Sequence, residues 1–178
     1  MKSLFTDRAS VVLQCFQQGL SRTGLVGHEG FMELNWDTHA VNFIQSDHYQ
    51  DLFGGLSSIM EELHARPGTV HPTLADETVV VVLSEMGRYP QLNSRQGKDH
   101  WTFTSAMIIG AGVEGGQAVG GYTDTAAGER VDVASGQIHE KGEKLVPDHI
   151  GATLLALADI DPAEHVDAAP LASILAGG

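Results

Sequence analysis

Residues 78–100 read TVVVVLSEMGRYPQLNSRQGKDH, an apolar run that ends abruptly in charged residues. The run from Val79 to Leu83 is apolar on both faces, and its β-branched side chains favour a strand over a helix. Strands that are apolar on both faces are typical of parallel sheets covered by helices on each side. The stretch therefore predicts an α/β fold with a parallel or mostly parallel sheet, in which this run is a central buried strand.

Charged side chains follow directly where this predicted strand ends. Glu85 and Arg88 lie just beyond Leu83, and Asp99-His100 follows after a short loop. In open α/β sheets, ligands bind beyond the carboxyl ends of the strands. A carboxylate beside an imidazole can bind a metal or transfer a proton. The alternative interpretation is that Glu85 and Arg88 are solvated loop charges that pair with each other.

A second charged pair follows Phe31 to Leu34, which is predicted to form a short strand. Asp37 and His39 are two positions apart, so on an extended segment their side chains point the same way. Ionised carboxylate and neutral imidazole are ordinary zinc ligands. The alternative interpretation is that Asp37 caps the following helix and that His39 lies at the surface.

The composition limits the classes of function and the organisation of the chain. The net charge is −13 and no basic stripe is present, which disfavours nucleic-acid binding. The single cysteine excludes an intrachain disulfide. No apolar run is long enough to span a membrane, no signal-peptide pattern is visible, and the localisation stays open. The length predicts one α/β domain over 1–178, with a weakly structured tail over 163–178.

Three helices and a second strand complete the predicted elements. The first helix runs from Leu4 to Gly19, and the second begins at Ser46 or Asp47 and ends at Arg66-Pro67-Gly68. The third helix runs from His149 to Ala158, with Asp148 as its N-cap. The second strand is Phe103 to Ile109, and an irregular β-hairpin region lies near 118–145. The second helix contains Gly54-Gly55, each costing about 1 kcal/mol against alanine, so burial or close packing must compensate. His48 and His149 are predicted to be exposed.

Several motifs, taken in their order along the chain, resemble a large bacterial family called domain of unknown function 1501. The motifs are Trp36-Asp37-Thr38-His39, Ser84-Glu85-Met86-Gly87-Arg88, Gly97-Lys98-Asp99-His100-Trp101, Gly110 to Gln117, and Thr123-Asp124. The resemblance covers roughly Trp36 to Pro162, and the ordered set is more specific than any one motif. Members of this family are sulfatase-like proteins of the alkaline phosphatase superfamily, which implies part of that parallel α/β fold.

The resemblance also implies a metal site at the strand ends. Its ligands would be Asp37, His39, Glu85 and His100. Asp99 would be a further ligand or an orienting neighbour, and Arg88 and Lys98 would either hold a substrate oxyanion or simply structure the loop. Met86 stands where sulfatase relatives carry a histidine, and its thioether is a poor ligand for a hard metal. The expected cofactor is a divalent ion, with zinc first and calcium or magnesium as alternatives.

Two functions remain open at this point. The first is a metal-dependent hydrolase of phosphate or sulfate esters, or a partial form of one, that acts on a small anionic ester. The second is a non-catalytic module that binds a metal or a protein partner, because the superfamily's nucleophile comes from a segment before the Trp36 motif. A partner that supplies this missing half is then expected. The sequence leaves the metal, the substrate and the oligomeric state undetermined.

Overall fold

The computed structural model describes residues 4–177, which form three helices and three short strand ladders. The helices are α1 Leu4–Gln17, α2 Gln45–Ala65 and α3 Pro147–Leu157. The strands are β1 Val79–Val82, β2 Gly87–Arg88, β3 His100–Trp101, β4 Met107–Gly110, β5 Arg130–Val131 and β6 Glu143–Lys144. Short 3-10 turns lie at Phe31–Glu33, Leu74–Glu77, Pro162–Glu164 and Ala172–Ile174. The predicted tail ends at Gly178, which lies outside the described residues. None of the helices within 4–177 is both long and apolar enough to cross a membrane.

The prediction of a parallel sheet covered by helices is wrong. The chain is 34% helix and 14% strand, and its sheets are small antiparallel pairs. β1 pairs with β4 in antiparallel register, from Val79 opposite Gly110 to Val82 opposite Met107. All four valines are half-buried, so the run does not form the buried centre of a larger sheet. A parallel partner requires a long crossover, usually a helix. Residues 83–106 contain only loops and the β2–β3 ladder.

The chain forms two compact units, each made from two segments. The first unit comprises Met1–Thr78 and Ser84–Ser105, and the second comprises Val79–Leu83 and Ala106–Gly178. The first unit therefore contains α1, α2 and the β2–β3 ladder. The second unit contains the other two ladders and α3. All the predicted site residues belong to the first unit.

The core of the first unit lies between α1 and α2. Its buried apolar side chains come from α1, from α2 and from the 3-10 turn after α2, and they are Ala9, Leu13, Leu52, Leu56, Ile59, Leu63, Leu74 and Ala75. At the end of α2, the guanidinium of Arg66 donates to Glu62 Oε1 at 2.5 Å and to Ser10 Oγ at 3.0 Å. Ser10 Oγ also donates to the same Glu62 oxygen at 2.7 Å. This network joins the two helices at the edge of their apolar contact.

The two adjacent glycines of α2 have different surroundings. A Cβ added at Gly55 would lie 2.7 Å from Phe5 Cδ1, whereas one added at Gly54 would meet nothing within 4 Å. Gly55 is buried and Gly54 is exposed. Close packing against α1 therefore explains the glycine at position 55 and does not explain the one at position 54.

The strand predicted from Phe31 to Leu34 is a 3-10 turn instead. Met32 and Glu33 have φ angles of 54° and 60°, which lie in the left-handed region that side-chain-bearing residues rarely adopt. The backbone N–H of Phe31 donates to Nδ1 of His48 at 2.8 Å. A hydrogen bond from the Phe31 backbone to a buried side chain thus stabilises a turn that the alternation of apolar residues does not reveal.

The second unit packs α3 against the segment that follows it. Ala152 and Thr153 are fully buried, and Thr153 Oγ1 accepts a hydrogen bond from the backbone N–H of Leu171 at 2.9 Å. The N-cap of α3 is Val146, not Asp148 as predicted. His149, predicted to be exposed, is only 3% exposed. Its Nδ1 accepts from the Val146 N–H at 3.2 Å, and its Nε2 lies 3.3 Å from Glu143 Oε2.

Candidate functional site

Three chain segments of the first unit meet around Asp37 and His39. In the β2–β3 ladder, Arg88 lies opposite His100. The backbone N–H of Lys98 donates to the Thr38 carbonyl at 2.8 Å, which joins the loop before β3 to the 37–39 segment. Backbone pairing therefore brings the residues together before any side-chain contact is considered.

Gly97 makes this close approach possible. A Cβ added at this position would lie 2.2 Å from the carbonyl oxygen of His39 and 2.4 Å from that of Thr38. Asn93 reinforces the contact, because its Nδ2 donates to the His39 carbonyl and to Asp99 Oδ1, both at 2.9 Å. The loop before β3 thus lies directly against the 37–39 backbone.

The carboxylate of Asp37 fixes both His39 and Arg88. Its Oδ1 accepts from the His39 backbone N–H at 3.0 Å, from Arg88 Nη2 at 3.2 Å and from the His39 ring at Nδ1. The hydrogen bond from the His39 backbone, followed by that from the ring, lowers the pKa of Asp37 below its usual range. An ionised carboxylate only accepts hydrogen bonds, so the proton lies on His39 Nδ1. In the neutral ring, Nε2 then carries the free lone pair.

His100 completes what we call the Asp37 cluster, defined as Asp37, His39, Arg88 and His100. The centroids of the two imidazole rings are 4.6 Å apart, and the ring planes are inclined by 51°. Arg88 Nη1 lies 3.1 Å from His39 Nδ1 and donates to the Lys98 carbonyl at the same distance. The Asp37 side chain is 58% exposed, that of His39 32% and that of Arg88 16%. Solvent and small ions therefore reach the carboxylate and the imidazoles.

Glu85 and Asp99 are not members of the Asp37 cluster, and each makes a hydrogen bond to a neighbouring residue instead. Glu85 is exposed, and its Oε2 accepts from the hydroxyl of the adjacent Ser84 at 3.2 Å. Asp99 is also exposed and accepts from Asn93, which makes it a loop-positioning residue. The structure brings Asp37, His39, Arg88 and His100 together, and it leaves Glu85 with a local partner. The roles predicted for these six residues stay predictions.

The cluster does not present a complete set of metal ligands as it stands. Within 4–177, no group of three or more His, Cys, Asp or Glu side chains is arranged to hold a metal ion. In this arrangement Asp37 Oδ1 is already occupied, because it accepts hydrogen bonds from the His39 backbone and from Arg88. Among the cluster members, His39 and His100 carry imidazole nitrogens, which are ordinary zinc ligands, and Asp37 fixes the orientation of the His39 ring.

The prediction of an exposed His48 is wrong, and the residue lies beside a cavity that the sequence did not indicate. His48 is fully buried, and the cavity has a volume of about 350 Å³. The sequence contained a usable signal for the burial: His48 precedes Leu52, Gly55 and Ile59 at helical spacing, so it lies on the buried face of α2. The cavity wall also includes Asp37, which places it next to the Asp37 cluster.

The comparisons with known proteins give one result on the family. No curated protein and no solved structure matches the chain. The family model of a protein of unknown function, DUF1501, matches residues 13–164, a range that includes the whole Asp37 cluster and the cavity. That range is most of the 178 residues. The chain therefore belongs to the DUF1501 family of proteins of unknown function.

Proposed function

We propose that this chain is a sulfatase- and alkaline-phosphatase-like protein that supplies part of a divalent-metal site for hydrolysing phosphate or sulfate esters. The observation that carries this proposal is the convergence of His39 and His100 from separate segments, with Asp37 fixing the His39 ring. An imidazole whose Nδ1–H is held by a carboxylate presents Nε2 to a metal, an arrangement that recurs in metal sites.

The ligands in this proposal are His39 Nε2 and a ring nitrogen of His100. Catalytic zinc sites ordinarily use three protein ligands. Glu85, three residues before Arg88, is the proposed third ligand, which requires its carboxylate to turn away from Ser84. Imidazole ligands suit zinc better than calcium or magnesium. With two ligands in place and the third turned away, we expect weak zinc binding.

The remaining charges suit an anionic ester. A divalent ion supplies Lewis-acid polarisation of the phosphoryl or sulfuryl oxygen. Arg88 is held by Asp37 and by the Lys98 carbonyl, so its guanidinium keeps a fixed position beside the imidazoles. A preorganised positive charge of this kind stabilises developing negative charge on an oxyanion. No residue of the chain is assigned as nucleophile, so we expect hydrolysis of p-nitrophenyl phosphate and p-nitrophenyl sulfate to stay close to background.

Zinc titration in competition with a chromophoric chelator tests the proposal. We expect the wild type to bind zinc weakly, His100→Ala to lose this binding, and His64→Ala to retain it, because His64 is exposed near the end of α2. Binding should weaken as the pH falls, since protons compete for the imidazoles. Unchanged binding in His100→Ala would refute the proposed site. Ester hydrolysis that copurifies with the wild type and disappears in His100→Ala would refute the expectation of low activity.

The second candidate is a non-catalytic module that binds a protein partner. The observation that favours it is the set of highly exposed apolar side chains in the first unit, with exposures of 97% for Leu25, 76% for Met32 and 75% for Phe43. Exposed apolar surface of this kind is typical of interaction sites when it is contiguous. A wild-type chain that binds no zinc would favour this candidate.

A further inference from the structure

The β1–β4 ladder of the second unit is apolar in sequence but consists of only two strands. None of the residues in Val79–Val82 and Met107–Gly110 is buried. Within the described residues, the two strands pack against each other, and no other helix or strand packs extensively against them. An isolated two-stranded ladder is at best marginally stable in water. The ladder therefore lacks the strand neighbours that its apolar composition predicts.

Both outer edges of this ladder carry free backbone groups. In an antiparallel pair, every second residue of each strand directs its N–H and C=O away from the partner strand. Residues 79–82 and 107–109 make no backbone hydrogen bond outside the ladder to any other described residue. An unprotected edge of this kind is a template for pairing with a strand of another chain.

The two edges differ in the charges that flank them. Residues 104–113 contain no charged side chain, whereas β1 lies between Glu77 and Glu85 in the sequence. Antiparallel pairing of two β1 strands would place these carboxylates of the two copies near each other, and like charges on facing strands are unfavourable. Antiparallel pairing of two β4 strands places only uncharged residues opposite each other. Since the net charge is −13, the uncharged β4 edge is the one that suits a second copy.

We propose that a second copy of this chain pairs with the free edge of β4, so that the two ladders form one four-stranded antiparallel sheet in the order β1, β4, β4, β1. Two identical antiparallel strands are related by a two-fold axis, so the contact is closed and stops at a dimer. Met107, which is 36% exposed, and the half-buried Ile108 and Ile109 gain apolar neighbours from the partner. The contact lies within the second unit and makes no use of the proposed metal site.

Sedimentation equilibrium of the full chain tests the association at protein concentrations from about 10 μM to about 1 mM, the range of weak binding. We expect a concentration-dependent shift from monomer to dimer. The dimer should become tighter as salt is added, because salt screens the repulsion between two acidic copies. A monomer throughout this range, assembly beyond a dimer, or a dimer that salt weakens would refute the proposal.

Amide hydrogen exchange identifies the edge that is used. The outward N–H groups of β4 become hydrogen-bonded in the dimer, so their exchange should slow at least about threefold between the lowest and the highest concentration. The outward N–H groups of β1 stay exposed and should exchange equally fast at both concentrations. Slower exchange of the outward β1 groups, or unchanged exchange in both strands, would refute the assignment to β4.

A pair of matched lysine variants tests the same contact. Met107→Lys places a charge on β4 and should weaken the dimer at least about tenfold, because charged side chains prevent edge pairing. Ile160→Lys makes the same change at a side chain that is 43% exposed and lies outside β4, so it should leave the dimer unchanged. Both variants reduce the net negative charge equally, so general repulsion does not explain a difference between them.

Leu83→Lys gives the corresponding test at the other strand. Leu83 directly follows β1 and is 64% exposed, so this variant should still form the dimer. Loss of the dimer in Leu83→Lys but not in Met107→Lys would refute the proposal, as would equal affinities of Met107→Lys and Ile160→Lys. If Met107→Lys does not fold, the exchange measurement on the wild type decides. Zinc enters none of these measurements, so a failure here is distinguishable from a failure of the metal site.

Discussion

At the scale of single residues, carboxylates organise this protein by accepting several hydrogen bonds at once. Asp37 accepts from the backbone and ring of His39 and from Arg88. Glu77 does the same for a loop, because its two oxygens accept from the backbone N–H groups of Thr69, Val70 and His71 at 2.6, 2.8 and 3.1 Å. In both cases the ionised form is the one that fits the native structure.

Glu77 makes the stability of this loop depend on pH. Its hydrogen bonds, led by that from the Thr69 backbone, lower the pKa of Glu77 to about 2 from an ordinary value of 4.5. The folded form therefore holds its proton less tightly than the unfolded form. The stabilisation is complete above pH 4.5 and is lost as the pH falls from there through about 2.

Glu77→Gln should show this dependence directly. We expect the variant to have a lower melting temperature than the wild type at pH 7, and we expect this difference to shrink as the pH falls from 4.5 towards 2. Hydrogen exchange of the 69–71 amides should be faster in the variant at neutral pH. Glu114→Gln is the control, because Glu114 lies in the second unit. Equal exchange rates in Glu77→Gln and the wild type at pH 7 would show that the carboxylate charge is unimportant.

At the scale of elements, the sequence predicts helices better than strands. The bounds of α1 and α2 lie close to those predicted from their apolar stripes. Apolar residues at helical spacing over three or more turns rarely form anything but a helix. The Val79 run is a strand, but its partner is antiparallel, since composition alone does not specify the direction of the next strand. The Phe31 turn depends on a hydrogen bond that its backbone N–H donates to His48, a contact that local sequence does not show.

The glycine pair of α2 provides a matched test of helix packing. Gly54→Ala should stabilise the protein by about 0.5–1 kcal/mol, because it gains helix propensity in open space. Gly55→Ala gains the same propensity but pushes its Cβ into the Phe5 ring, and overpacking costs about 1–3 kcal/mol. Urea denaturation of both variants measures the difference. A Gly55→Ala chain as stable as Gly54→Ala would show that α1 shifts freely.

At the scale of the whole molecule, the Asp37 cluster depends on contacts between distant segments. The sequence singles out His39 and His100 by their motifs, yet nothing local shows that their rings lie 4.6 Å apart. The position of Arg88 between Asp37 and His39 is not predictable from the sequence, because it results from the β2–β3 register and the close approach at Gly97. The sequence thus identifies the candidate site residues, whereas the distances and angles between their side chains follow only from the folded structure.

Gly97→Ala should disturb this geometry without altering any cluster residue. The new Cβ meets backbone oxygens, which do not rotate away, so the loop must move from the 37–39 segment. We expect a destabilisation of about 1–3 kcal/mol and weaker zinc binding. Gly115→Ala is the control, because a Cβ there meets nothing within 4 Å. Full zinc affinity in Gly97→Ala would contradict the proposed dependence on this close approach.

The path of the chain through its two units has a consequence for synthesis on the ribosome. The chain enters the second unit for Val79–Leu83, returns to the first for Ser84–Ser105, and then leaves it again. The first unit therefore stays incomplete until Ser105 has emerged, and β1 waits for β4 before it can pair. Domains otherwise tend to fold from the N-terminus as they are made. No single cut separates the two units, so recombination at one breakpoint cannot exchange either of them intact.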